Sequence, residues 1–303
     1  MTEFTSFQRK IADFLPNMEL KMSEPMARHT SFRIGGAAEV MAFPKNVEEL
    51  SALLKVAREL GITPAILGAG TNVLAPDEGL QGLVICLKDS LTGMEFLNDT
   101  TIRVHAGVTM ARAANFAAGL ALSGLEFAHG IPGTVGGGVY MNAGAYGGEI
   151  CQVCTQVAVM DMEGNQQLLS NEEMGFSYRN SRIQGENLIV LFADFVLQPR
   201  PEATIREKMQ ELMAKRRASQ PLDLPSAGSA FKRPATGYAA AMIDQAGLKG
   251  FQIGGAAVSE KHAGFVVNLG GATAADVRAL LAAVADKVEA AHGVRLEPEV
   301  RIW

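Results

Sequence analysis

Cysteine is scarce in this chain, with three among 303 residues, too few for a disulfide framework at this length. Cys151 and Cys154 form a C-x-x-C, but no second pair completes a zinc site, and Cys86 lies in an apolar stretch. Three buried or half-buried thiols acting as small hydrophobes are expected, and no metal. Cations are also in deficit, 27 Lys and Arg against 32 Asp and Glu, for a net charge of −5. A nucleic-acid surface carries the opposite excess, which excludes that partner. No apolar run reaches the roughly 18 residues of a membrane span; the most apolar stretch, 113–125, is broken by Asn115 and Ser123. The first twenty residues hold Glu3, Arg9, Lys10, Asp13 and Glu19 and no apolar leader, so a cytoplasmic protein without membrane insertion is expected.

What is present is core material. Hydrophobic residues make up 48% and charged residues 19%, a globular composition without a disorder signature. The length suggests about two domains. Asn46 followed by Glu49 resembles a capping box, the apolar residues from Val47 to Leu60 recur at helical spacing, and Gly61 stops the helix. Strands are expected at 62–67, 83–87, 101–106 and 188–197, and a hairpin at 157–169 turning at Met162-Glu163-Gly164-Asn165. Helices are expected at 110–122, 202–218, 238–245 and 274–292, a loop at 220–234, a strand at 265–269 and a closing strand at 294–303. Strands and helices mix without strict alternation, so the fold class is α+β.

Two glycine-rich segments stand out. Gly68-Ala69-Gly70-Thr71-Asn72-Val73-Leu74 begins like a Rossmann fingerprint but has Val73 at the third glycine position, and a poor helix start follows. Its main chain still suits a nest of N–H groups around an oxyanion, with side-chain hydrogen bonds from Thr71 and Asn72. The second segment, 130–148, holds eight glycines in nineteen residues. Glycine loses much entropy on ordering, so this density points to close approach of main chain to a ligand.

These segments, with Arg28-His29-Thr30-Ser31-Phe32, Asp77, Gly79, Tyr178-Arg179-Asn180-Ser181, the run from Pro225 to Pro234 and Leu296-Glu297-Pro298-Glu299-Val300-Arg301, resemble the UDP-N-acetylenolpyruvoylglucosamine reductase family. The resemblance runs from about residue 27 to the C-terminus. It implies a two-subdomain FAD-binding domain of the vanillyl-alcohol oxidase (PCMH-type) superfamily at 27–200, after an N-terminal helical segment at 1–26. A C-terminal α+β substrate-binding domain is implied at 201–303. NADPH is the implied hydride donor, and a UDP-linked enolpyruvyl amino sugar the substrate. Arg179 matches the arginine that steadies the developing enolate, Ser229 the proton donor to C2, and Glu299 the glutamate beside the substrate carboxylate.

The implied FAD contacts are Gly68, Ala69, Gly70, Thr71, Asn72, Val73 and Leu74, then Gly130, Ile131, Pro132, Gly133, Thr134, Gly136, Gly137, Met141, Asn142, Ala143 and Gly144. Lys232, Arg216 and Tyr140 are the expected substrate contacts. His262 is as readily a surface histidine as a residue near substrate. No tyrosine occurs between Arg182 and Leu197, so the chain resembles the shorter subclass without a tyrosine-bearing lid. Two alternatives stand beside this reading, another FAD-dependent oxidoreductase acting on an alcohol or sugar and a non-catalytic nucleotide-sugar binder.

Overall fold

The computed structural model describes residues 6–303, so part of the N-terminal segment expected to be helical at 1–26 lies outside the described residues; Ser6–Phe14 is helical, but Leu20–Pro25 is a strand. The chain forms two compact units that interleave in sequence. One takes the chain up to Met22, Val40–Ala69 and Gly82–Lys215; the other takes Ser23–Glu39, Gly70–Gln81 and Arg216–Trp303.

The first unit is built on a five-stranded antiparallel sheet in the order Gln166–Ser170, Cys154–Met160, Ile189–Val196, Thr101–His105, Met94–Asn98. The expected hairpin is there, with Met160 opposite Gln166. The alanine-rich helix Met110–Gly119, capped by the Thr109 hydroxyl, buries Met110, Ala113, Ala114, Ala117 and Ala118, a run of small side chains that permits close packing. The helix Val47–Glu59 buries Leu50, Leu53, Leu54, Val56 and Ala57 in a second core. Asn46 Oδ1 accepts from Glu49 N at 2.8 Å, whereas Glu49 reaches back to Lys45 N at 2.7 Å, one residue before the cap of an ideal box. Ala65–Leu67 pairs in parallel with Leu80–Cys86.

In the second unit an antiparallel sheet runs Ser226–Ser229, Phe265–Asn268, Ala256–Val258, Gln252–Ile253. The helix Ala274–His292 buries Val277, Leu280, Leu281, Val284 and Val288 in that unit's core, the three-and-four spacing of an amphipathic face. Thr273 and Asp276 form its capping box and Gly293, at φ +68°, ends it. The Asp77 carboxylate also accepts from Ala274 N (2.7 Å) and Ala275 N (3.0 Å), placing negative charge where the helix dipole favours it.

Two further expectations change. The loop at 220–234 contains the strand Ser226–Ser229, an edge strand that Gly228, at φ +75°, lets bulge. The closing strand shrinks to Arg301–Ile302, parallel to Val73–Leu74. Before it, Pro298 has no N–H to donate, and the segment makes only a bridge to Phe231. Within the glycine-rich segment, Val135–Tyr140 is a short helix holding Gly136, Gly137 and Gly138.

Candidate active site

Within the first unit Gly68 and the second glycine segment meet at Thr134, a buried residue whose hydroxyl caps the helix Val135–Tyr140. A Cβ added at Gly68 would lie 2.7 Å from Thr134 Oγ1, and one at Gly137 3.6 Å from the same atom. Side chains at 68 or 137 would fill that space. Gly137 and Pro132 are exposed, and a Cβ at Gly147 would meet nothing. This is a cradle of bare main chain next to a hydroxyl, which fits the nucleotide part of FAD.

Gly136, Gly138 and Gly148 serve packing. A Cβ at Gly136 would approach Ala106 Cβ to 3.0 Å, one at Gly138 Met110 Sδ to 2.8 Å, and one at Gly148 the Phe127 ring to 2.5 Å. Gly70, at φ +61°, leaves no room for a side chain against the His29 carbonyl.

Arg179 sits at the tip of a turn closed by Ser177 N to Asn180 O (3.1 Å) and Asn180 N to Ser177 O (3.2 Å). Its backbone is left-handed, φ +54°, uncommon for a long side chain. The guanidinium donates from Nη2 to Gly144 O at 3.1 Å and lies 5.0 Å from the Tyr178 ring centroid. Tyr140, half-buried, accepts at its carbonyl from Ser181 Oγ (2.7 Å) and Gln184 Nε2 (2.8 Å).

In the second unit the segments that carry Ser229 and Glu299 pair through the main chain. Ser229 is exposed and Glu299 half-buried; Glu299 N donates to Ala230 O at 2.8 Å, and Lys232 N to Glu297 O at 2.8 Å. Asn72 joins them, its Nδ2 donating to Glu299 O at 3.1 Å while its own carbonyl accepts from Arg301 N at 3.0 Å. Asn72 thus steadies the glutamate's backbone, a role its sequence position did not disclose. Leu74 is buried in that unit's core, so its side chain packs against protein. Lys232 Nζ pairs with Glu297 at 3.2 Å on the surface. Arg216 lies in the last turn of Glu202–Ser219, a position where a cation suits the helix dipole. On the same helix Lys208 and Lys215 both grip Glu211, holding its carboxyl at about 2.

Residues 220–303 match the family model described as the C-terminal domain of UDP-N-acetylenolpyruvoylglucosamine reductase, and residues 38–170 match that of an FAD-binding domain. The reductase of Syntrophomonas wolfei is 44% identical over 97% of this chain and 98% of its own, and that of Caldanaerobacter subterraneus 46% over 97% and 96%. The chain belongs to the UDP-N-acetylenolpyruvoylglucosamine reductase family.

A crystal structure of the reductase (MurB) from Thermus caldophilus superposes with a TM-score of 0.79 at 33% identity, covering 95% of this chain and 99% of that one. The fold is therefore the PCMH-type FAD-binding domain joined to the MurB C-terminal domain. As a MurB reductase this chain is an FAD flavoprotein that takes hydride from NADPH in peptidoglycan precursor synthesis, and the alcohol-oxidase and binding-protein alternatives fall away. Its length and the direct run from Asn180 through Ile183–Glu186 into Ile189–Val196 fit the shorter subclass. No helix among the described residues is long and apolar enough to cross a membrane, and none of their acidic, histidine or cysteine side chains cluster to hold a metal ion.

Proposed function

We propose that Arg179, Ser229 and Glu299 carry the reduction of UDP-N-acetylglucosamine enolpyruvate to UDP-N-acetylmuramate. The main chain of 68–74 and 130–137, with the Thr134 hydroxyl, would hold FAD. Bound FAD supplies the relay of hydride from NADPH to C3 of the enolpyruvyl group. As C3 gains hydride, electron density moves to C2 and the carboxylate. Arg179 grips that carboxylate with a planar fork of donors and offsets its growing charge. Ser229 gives its hydroxyl proton to C2, which completes addition across the double bond. A carboxylate facing this charge would repel it, so Glu299 carries or shares a proton in the working complex.

Lys232 and Arg216 would meet the diphosphate, and Lys232 would exchange Glu297 for it. Tyr140 would border the substrate. Functionally, 27–200 is the FAD-binding part and 201–303 the substrate-binding part, although packing divides the chain at other points. We place the enzyme in the cytoplasm and assign it no nucleic-acid partner.

The observation that supports this reading is the pairing of residues 230–232 with 297–299, which ties the backbone next to Ser229 to that of Glu299. Anaerobic stopped-flow absorbance tests it. NADPH should bleach the flavin, and the UDP-enolpyruvyl sugar should restore it. Arg179→Lys, which loses the bidentate fork, should slow the restoration about a hundredfold or more and leave bleaching intact. Restoration at the native rate in that variant would remove Arg179 from the chemistry.

A further inference from the structure

Asn142 was expected to touch the cofactor, yet its side chain is 1% exposed and engaged with protein groups. Nδ2 donates to Glu149 Oε2 at 2.9 Å and to Ser177 O at 3.1 Å; Oδ1 accepts from Cys151 N at 3.0 Å. Both donors of the amide are spent, and one bond ends on the residue that opens the Arg179 turn. A second amide also holds the turn: Gln184 Nε2 donates to Arg179 O at 3.1 Å and also to Tyr140 O. Ser181 Oγ fastens the following residue to the same Tyr140 carbonyl.

Left-handed backbone is strained for a non-glycine residue, and persists where surrounding structure over-determines it. Arg179, at φ +54°, is such a residue. A glycine or asparagine would adopt this turn at less cost, but neither carries a guanidinium.

We infer that Asn142 and Gln184 are positioning residues, which clamp the Ser177–Asn180 turn so that Arg179 is held ready for the substrate carboxylate. The inference rests on the reading of Arg179 given above. A residue displaced by about 1 Å can cost on the order of a hundredfold in rate, so loosening the clamp should slow flavin restoration by substrate relative to bleaching by NADPH.

The test uses purified holoenzyme and the ratio of the two half-reaction rates, normalised to native enzyme at each pH. Asn142→Ala should lower the ratio about tenfold or more at every pH. In Asn142→Asp a carboxylate faces Glu149 and the Ser177 carbonyl, so donors vanish at pH 8; protonation near pH 6 returns one, and the ratio should partly recover. A loose fold alone would give no such pH-dependent recovery. A native ratio in Asn142→Ala, or an Asn142→Asp loss that is the same at pH 8 and pH 6, overturns the inference. Where the Asn142 variants fail to retain flavin, Gln184→Glu decides: a lowered ratio supports the clamp and a native ratio overturns it. Arg179→Lys, run alongside, separates the two failures, since native restoration in that variant defeats the reading of Arg179 itself.

Discussion

The His262 imidazole is half-buried, sits edge-on to Phe265 at a centroid distance of 5.0 Å, and accepts from Gly264 N at Nδ1 at 3.1 Å. Burial, helped by the charge of Lys249, lowers its pKa below the ordinary 6.5. The unfolded chain therefore takes up this proton first as the solution is acidified. Above pH 7 both states are neutral and nothing changes; as pH falls through about 6.5 the folded state loses stability until the folded imidazole also charges. Melting temperature should fall from pH 7.5 to 5.5 with a shallower slope in His262→Gln than in the native protein, and equal slopes would dismiss the effect. The cysteines follow the same physics. Burial, then the neighbouring Asp194, pushes the Cys154 thiol up to about 12, and burial also raises Cys151 and Cys86, so the C-x-x-C is a pair of free thiols, neither of them activated. The sequence spoke for inert thiols through the lack of partners, and the structure supplies burial as the cause.

At the scale of elements, the helix Ala274–His292 was legible to the residue because cap, apolar spacing and terminal glycine agree within one stretch of chain. The glycine-rich segment was legible as main chain kept bare for a ligand, but not glycine by glycine. Its glycines divide between those that open main chain around Thr134 and those that let the segment approach Ala106, Met110 and the Phe127 ring closely, and nothing in the order of residues separates the two groups. Gly148→Ala tests the second group. Its Cβ would meet the root of the Phe127 ring at 2.5–2.9 Å, and Phe127 is 7% exposed in a packed core, so the ring has little room to yield. Overpacking of this kind costs about 1–3 kcal/mol, to be read as a lower denaturation midpoint at unchanged slope. A native midpoint would mean that the segment re-forms around the methyl.

For the whole molecule, two units share a chain that passes between them repeatedly, while the cofactor is a large ligand of the folded state alone. Ligand that binds only the native form adds about 2.7 kcal/mol at a hundred times its dissociation constant. Stripping FAD should lower the melting temperature by about 5–10 °C, and adding it back should restore the loss. An apoprotein that melts with the holoprotein would remove the cradle as the flavin site.

The sequence by itself determined the family, the cofactor and the helices, because motifs and periodicity are written in neighbouring residues. It also named Arg179, Ser229 and Glu299, through resemblance. Only the tertiary structure decided what holds them. Asn142 reaches Ser177, Asn72 reaches Glu299, and Asp77 reaches the helix that starts at Ala274. Each is a hydrogen bond between residues far apart along the chain, and a short polar side chain takes its meaning from the partner that folding brings within about 3 Å.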